Sequence, residues 1–299
     1  MMEVQRKGPL CDDHRDGAGG GQAGEVVARV TSARWDEPVP ADPDVTHPNV
    51  ARMYDYLLGG GANFAVDREA ADAAETAWPY LRQGARIQRA FLGRAVRCLA
   101  EQGVDQFLDL GSGIPTAGNV HEIALRHNPA ARVAYVDYEP VAVQAARGML
   151  GDDPRVSVTQ ADIREPDAVL SAPTVAGLID FGRPVAVLAV GILHFLPDTD
   201  DPAGVLGVYR DVCVPGSHLT ISHASQVSLP DEQVARFLAA YARSTTPALW
   251  RTVEQIRPFL DGYRLVDPGL VLLPLWRPDY PVSDTHAAES NIYGAVGVL

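Results

Sequence analysis

The stretch best placed to do chemistry is FLDLGSGIPT, residues 107–116. A short apolar run ends at Leu110 and gives way to Gly111-Ser112-Gly113, so the spacing predicts a β-strand that breaks into a glycine turn. The two glycines let the backbone come close to a ligand. One acid, Asp109, precedes the turn, and a second, Asp137, ends the next apolar run, RVAYVDY. A carboxylate at the tip of a second strand can accept from both hydroxyls of a ribose. A third acid, Asp162, closes RVSVTQAD. There it can accept from an adenine amino group, with Ile163 flanking the ring and Tyr138 covering its other side.

The cofactor follows from what the turn lacks. A dinucleotide fingerprint needs a third glycine for close helix–strand packing. Thr116 occupies that position, and Pro115 has no N–H to offer a pyrophosphate. A carboxylate at Asp109 repels pyrophosphate but suits a cation. S-Adenosylmethionine (SAM) brings a sulfonium and an α-ammonium to that end, so the pattern predicts a SAM pocket. A nicotinamide-dependent oxidoreductase is the alternative that the missing glycine argues against.

The elements that must hold these residues alternate. Strands are expected at 106–110, 132–138, 155–162, 184–195 and 217–225, with helices at 119–128, 141–150, 202–213, 230–243 and 247–258. Such βαβ alternation implies a doubly wound parallel sheet with right-handed crossovers. The run at 184–195 is almost wholly apolar, as for a strand buried on both faces. Two closing runs, 263–269 and 271–276, predict an antiparallel hairpin at one edge.

Before the sheet, residues 1–45 are Gly-, Asp- and Pro-rich and predict a disordered tail. Residues 46–103 predict a helical cap, and 104–299 the SAM-binding domain. HPNVARMYDYLLGG carries apolar residues at helical spacing, with Asn49 able to cap it. Gly59-Gly60-Gly61 then separates it from a helix starting near Asp67. The triplet lacks the Lys-Ser/Thr of a phosphate loop and follows no strand. Two readings stay open: a lid that turns Tyr54 and Asn63 toward the ligand, or a plain inter-helix turn. Arg82, Arg86, Arg89, Arg94 and Arg97 on a third helix, expected over 81–102, read as a solvated face.

Composition narrows the class. With 25 Lys+Arg against 38 Asp+Glu, the net charge of −13 repels nucleic acid at long range. There is no apolar run long enough for a membrane span and no secretory apolar segment, so no membrane partner is expected. Cys11, Cys98 and Cys213 form no pair motif, which fits a reduced cytoplasm and no metal site. A homodimer is compatible with the sequence.

PNVARMYDYLLGGGANFAVDRE, the 89–124 stretch, ARVAYVDYEPV, VGILHFLPD, GSHLTISH and VDPGLVLLPLWRP together resemble a bacterial family of SAM-dependent methyltransferases first catalogued as a domain of unknown function. The resemblance runs from Pro48 nearly to the C-terminus. It implies a class I, Rossmann-like methyltransferase fold: a doubly wound seven-stranded sheet with its last strand antiparallel, plus an N-terminal helical cap. It also implies that Asp109, Gly111 and Gly113 line the methionine end, Asp137 the ribose, and Asp162 with Ile163 the adenine. This chain has Glu139 where the family usually has Asp, Gln88 where it often has Asn, and no basic ending.

The acceptor should lie over the carboxyl ends of the fourth and fifth strands. There Gly191 and His194 follow one strand and His223 lies in the next. His194 is the first candidate for a base or acceptor-orienting group, His223 the second, and Tyr54 a third if the cap folds over. The expected activity is methyl transfer to a small-molecule acceptor, with oxygen, nitrogen and carbon acceptors all open. A SAM-binding regulator without catalysis would carry the same pocket.

Overall fold

The computed structural model of the chain describes residues 44–116 and 118–299. The tail expected over 1–45 lies outside them but for its last two residues. Three helices come first: α1 (Val50–Leu57), α2 (Ala65–Ala77) and α3 (Leu81–Glu101). Asn49 caps α1, its side chain accepting from the N–H groups of Ala51 and Arg52 that the helix leaves open. Arg52 is buried, and its Nε donates to Asp67 at 2.9 Å while Nη1 donates to Glu139 at 3.3 Å. Asn49 Nδ2 donates to the other Glu139 oxygen at 2.7 Å. This network fastens α1 and α2 beside Asp137.

The glycine triplet forms a turn closed on Asp55, whose Oδ2 accepts from Ala62 N at 2.9 Å and Asn63 Nδ2 at 2.8 Å. Gly59 has φ +87°, and a Cβ on Gly60 would lie 1.9 Å from Asp55 Oδ1. Nothing crowds Gly61.

The sheet holds β1 (Gln106–Leu110), β2 (Arg132–Asp137), β3 (Val156–Gln160), β4 (Ala186–Ala189), β5 (His218–Ala224), β6 (Arg264–Leu265), β7 (Val271–Leu272) and β8 (Ile292–Val298). Their order is β3-β2-β1-β4-β5-β8-β6, and β7 also pairs with β8. The first five run parallel and β8 is antiparallel to β5. Helices follow the strands as expected, among them α4 (Val120–His127) and α5 (Pro140–Leu150). The strand order reverses between β1 and β4, which opens a crevice beyond their carboxyl ends. Alternate side chains feed two cores. Phe107, Val133 and Leu188 pack with Phe91 and Val96 of α3 on one face, and Leu108, Val136 and Val187 pack on the other.

Three expectations change. The closing hairpin does not form: β6 and β7 are two residues each, and both pair with β8. The strand IYGAVGV was hidden by its glycines. A Cβ at Gly294 would meet Leu273 at 2.3 Å, and one at Gly297 would meet Tyr263 at 2.6 Å, so close approach demands them. The strand expected over 184–195 stops at Ala189, and Leu193–Phe195 form a 3-10 turn after Gly191 at φ +81°. The helix expected over 247–258 begins only at Val253. Upstream of it, backbone donors are spent elsewhere: Thr245 N on Pro48 O, Leu249 N on His194 O, and Arg251 N on Ala224 O.

Candidate active site

Beyond the carboxyl ends of β1, β2 and β4 lies a cleft of about 1150 Å³, its open mouth included. One end is backbone and charge. Gly111 and Gly113 take φ of +70° and +67°, and a Cβ on Gly111 would lie 2.6 Å from Ile192. The N–H groups of Gly111 and Ser112 both donate to Val136 O, which folds the turn back over β2. Asp137 braces the same turn: its Oδ2 accepts from Gly113 N at 2.7 Å and its Oδ1 from Glu139 N at 2.9 Å.

Burial dominates the electrostatics. It pushes the Asp109 carboxyl up to about 7; the Arg89 guanidinium opposes this and Asp137 adds to it. Burial also raises Asp137, against the backbone N–H groups of Glu139 and Gly113. Arg89 lines this end too. Its Nη2 donates to Thr116 at 3.1 Å, while its Nε is buried with no partner.

The other end is walled by aromatic rings. Trp250 lies 5.7 Å from Trp78 and 5.3 Å from Phe237, and Phe195 stacks on Tyr241 at 6.1 Å. His194 stands in this wall, its ring 4.2 Å from that of Phe195. Its Nδ1 is buried without a partner. Burial, with His223 and Arg251 nearby, pushes His194 down to about 3, so the imidazole is neutral.

Arg251 fixes the turn that carries His194. Its Nη1 donates to Leu193 O at 3.2 Å and its Nη2 to Leu196 O at 2.7 Å. Above the cleft, side chains add two ties to the 245–250 segment: Asn49 Nδ2 donates to Thr245 at 3.4 Å, and the Tyr138 and Thr246 hydroxyls bond at 2.8 Å.

The structure brings Tyr54, Asp109, Gly111, Ser112, Gly113, Asp137, Tyr138, Gly191 and His194 to this one cleft. Tyr54 arrives with its O–H donated to Ala85 O at 3.1 Å, so that proton is engaged. Four expected residues do not line it. His223 is fully buried with both ring nitrogens used: Nε2 accepts from Arg251 at 2.9 Å, and Nδ1 therefore donates to Ala224 O at 2.7 Å. That geometry makes it a strut, which corrects its candidacy as a base. Asn63 spends its amide on Asp55 and Gly60 inside the glycine turn, so the turn does not present it to a ligand. The Asp162 carboxylate is gripped by Arg164, with Nε at 3.0 Å. Ile163 lies in the second core, and its carbonyl accepts from Tyr209 at 3.0 Å.

Arg89 was missed, and Gln88 was noted only as a departure from the family pattern. The arginine run is a solvated, acid-paired face only in part: Arg86 is exposed, and Arg82 and Arg97 pair with Glu75 and Asp279, but Arg94 donates to Trp276 O and Leu273 O. A helical repeat was present in Leu81, Ala85, Gln88, Arg89 and Leu92, all of which line the cleft. Gln88 Oε1 accepts from Ser222 at 3.2 Å, and its amide fills the space a Cβ on Gly191 would need.

These groups fit SAM. The glycine turn leaves room at the backbone, Asp137 suits a ribose, and the buried Asp109 has no ion-pair contact among the described residues, with only the field of Arg89 favouring its charge. The orphaned Arg89 Nε suits a carboxylate.

The profile of the S-adenosyl methyltransferase family matches residues 36–299. A crystal structure of a candidate methyltransferase from Thermobifida fusca is 40% identical, covering 85% of this chain and 96% of its own, with a TM-score of 0.81. A DUF574-family protein from Streptomyces avermitilis is 36% identical, covering 84% and 97% respectively, with a TM-score of 0.80. A comparison with curated proteins returned no match. The nicotinamide alternative falls with these results. The chain belongs to the S-adenosyl methyltransferase family, as a SAM-dependent methyltransferase of the class I fold.

Proposed function

We propose that the protein methylates a small-molecule acceptor held in the aromatic half of the cleft, by in-line displacement. One observation carries this reading: the glycine turn with its buried carboxylates and the neutral His194 line a single cleft. SAM, when bound, supplies an electrophilic methyl group. Asp137 accepts from the ribose hydroxyls while its braced turn holds the backbone in place. Asp109 faces the cationic end, and Arg89 pairs with the carboxylate. His194, neutral and fixed by the Arg251 contacts, accepts a hydrogen bond from the acceptor and sets its orientation. The rings and the 245–250 segment keep water out. Alignment and water exclusion supply most of the acceleration for such a displacement. A small acceptor is favoured by α1 and the 245–250 segment, whose Tyr54, Leu57, Ala248 and Trp250 line the cleft.

The test is a screen of cell extract with methyl-labelled SAM, read by mass spectrometry. The expected result is a labelled product heavier than its precursor by one methylene. Tight SAM binding with no labelled product from any fraction would leave a binding protein without catalysis.

A further inference from the structure

The aromatic half of the cleft has a chemistry narrower than size alone. Five rings, those of Trp78, Phe195, Phe237, Tyr241 and Trp250, wall it. The charged side chains lining the cleft, Arg89, Asp109 and Asp137, all belong to the glycine-turn end. No carboxylate therefore awaits a cationic acceptor among the rings, and the Arg251 behind the wall is already paired with Asp198 at 2.6 Å. The wall also holds two unsatisfied polar atoms: Nδ1 of His194, which accepts in the tautomer protonated on Nε2, and the indole Nε1 of Trp250, which can only donate. Both sit in one structural unit, because Leu249 N donates to His194 O at 2.7 Å. Buried polar atoms without partners cost free energy unless a ligand completes them.

Resting on the methyl-transfer reading, we propose that the acceptor is a neutral, planar aromatic molecule whose ring hydroxyl donates to His194 and accepts from Trp250, so that the enzyme is an O-methyltransferase. Flat rings meet the aromatic walls edge-to-face or offset, the arrangement such walls favour. The hydroxyl oxygen forms the new bond to the methyl carbon as the carbon–sulfur bond breaks. The electron pair of that bond stays on sulfur, and the hydroxyl proton passes to the His194 imidazole and then to water. The proton becomes strongly acidic as the oxygen–carbon bond forms, so a weakly basic imidazole suffices late in the step.

Calorimetry at neutral pH on protein saturated with S-adenosylhomocysteine tests this with four probes: 2-naphthol, 2-methoxynaphthalene, 2-naphthoate and 2-naphthylmethylammonium. The expected order puts 2-naphthol first, with 2-methoxynaphthalene about fivefold weaker for want of one donated hydrogen bond. The two ions should bind at least about tenfold more weakly than 2-naphthol, since their charge would be desolvated without a partner. In His194→Phe the naphthol-to-ether ratio should fall to about one. Trp250→Phe, which keeps a ring and loses the N–H, should weaken both neutral probes equally and is the second variant should the first fail to fold. An ion binding as tightly as 2-naphthol, an ether equal to it, or no naphthalene binding at all would overturn the proposal. Failure of the protein to bind S-adenosylhomocysteine would instead sink the cofactor assignment beneath it.

Discussion

Binding of SAM should be pH-linked through Asp109. This carboxyl is 5% exposed, and burial lifts it from its ordinary 3.8 to about 7. The charged groups facing it are Arg89, which favours its charge, and Asp137, which opposes it. Three pH units correspond to about 4 kcal/mol at about 1.4 kcal/mol each, the order of the penalty for holding the charge without a cation. A bound sulfonium and ammonium remove much of that penalty, so the ligand selects the ionised form and expels a proton. Apparent affinity should therefore be near its plateau at pH 8, about twofold lower at pH 7, and about tenfold lower at pH 6. The sign of the stability effect is opposite. A raised carboxyl stabilises the ligand-free fold fully below its unfolded value, and that contribution is lost as pH rises toward 7. Asp109→Asn should thus melt higher than wild type at pH 8, with the gap narrowing as pH falls and closing only below about pH 4, while binding SAM weakly at every pH. Calorimetry across pH in two buffers of different ionisation enthalpy measures both affinity and proton release. The ligand's α-ammonium titrates as well, so the wild-type-minus-variant difference is the readout. Equal pH slopes in wild type and Asp109→Asn would refute the argument.

Gly60→Ala should destabilise by about 1–3 kcal/mol through overpacking on Asp55, whereas Gly61→Ala should be neutral or stabilising by up to about 1 kcal/mol; denaturant midpoints separate them. His194→Ala should lower kcat far more than it weakens SAM binding, and wild-type turnover in that variant would remove the imidazole from the reaction. Asp137→Ala should weaken SAM at least about tenfold and also lower Tm, because the Gly113 and Glu139 N–H groups lose their acceptor. Arg52→Met should cost about 3–5 kcal/mol in chemical unfolding, since it leaves the Asp67 and Glu139 carboxylates buried without their cation.

How much of this was legible depended on whether a signal was local. Asp109, the glycine turn and Asp137 were readable because a strand, a tight turn and the next strand's tip form one continuous grammar. Asn49 was readable as a cap for the same reason. β8 was not, because its glycines answer to Leu273 and Tyr263, residues a strand pattern cannot see. The 245–250 segment has helical composition, yet its backbone donors find stronger partners across the fold. Arg89 was discounted as one of five arginines. Only the packing of α3 against the cleft separates it from Arg94 and Arg97, which are spent on carbonyls and an exposed acid.

His223 shows why residue type and strand position are not enough to assign a base. His194 and His223 lie 5.9 Å apart, the first half-buried and the second fully buried, both held neutral by their surroundings. What divides them is Arg251. It must donate, so it converts the Nε2 of His223 into an acceptor and fixes the other nitrogen on Ala224 O. The same guanidinium binds the carbonyls on either side of His194 and leaves that ring untouched. One arginine thus consumes the hydrogen-bonding capacity of one histidine while positioning the other with its capacity intact. Its positive charge also helps to keep His194 unprotonated, which an imidazole must be to accept a hydrogen bond from an acceptor hydroxyl. Arg251→Met should therefore act through His194 without touching substrate: kcat should fall, KM for SAM should hold, and the acid limb of the kcat profile should move to higher pH as the imidazole regains basicity. An unmoved acid limb with reduced kcat would mean that Arg251 only braces the turn.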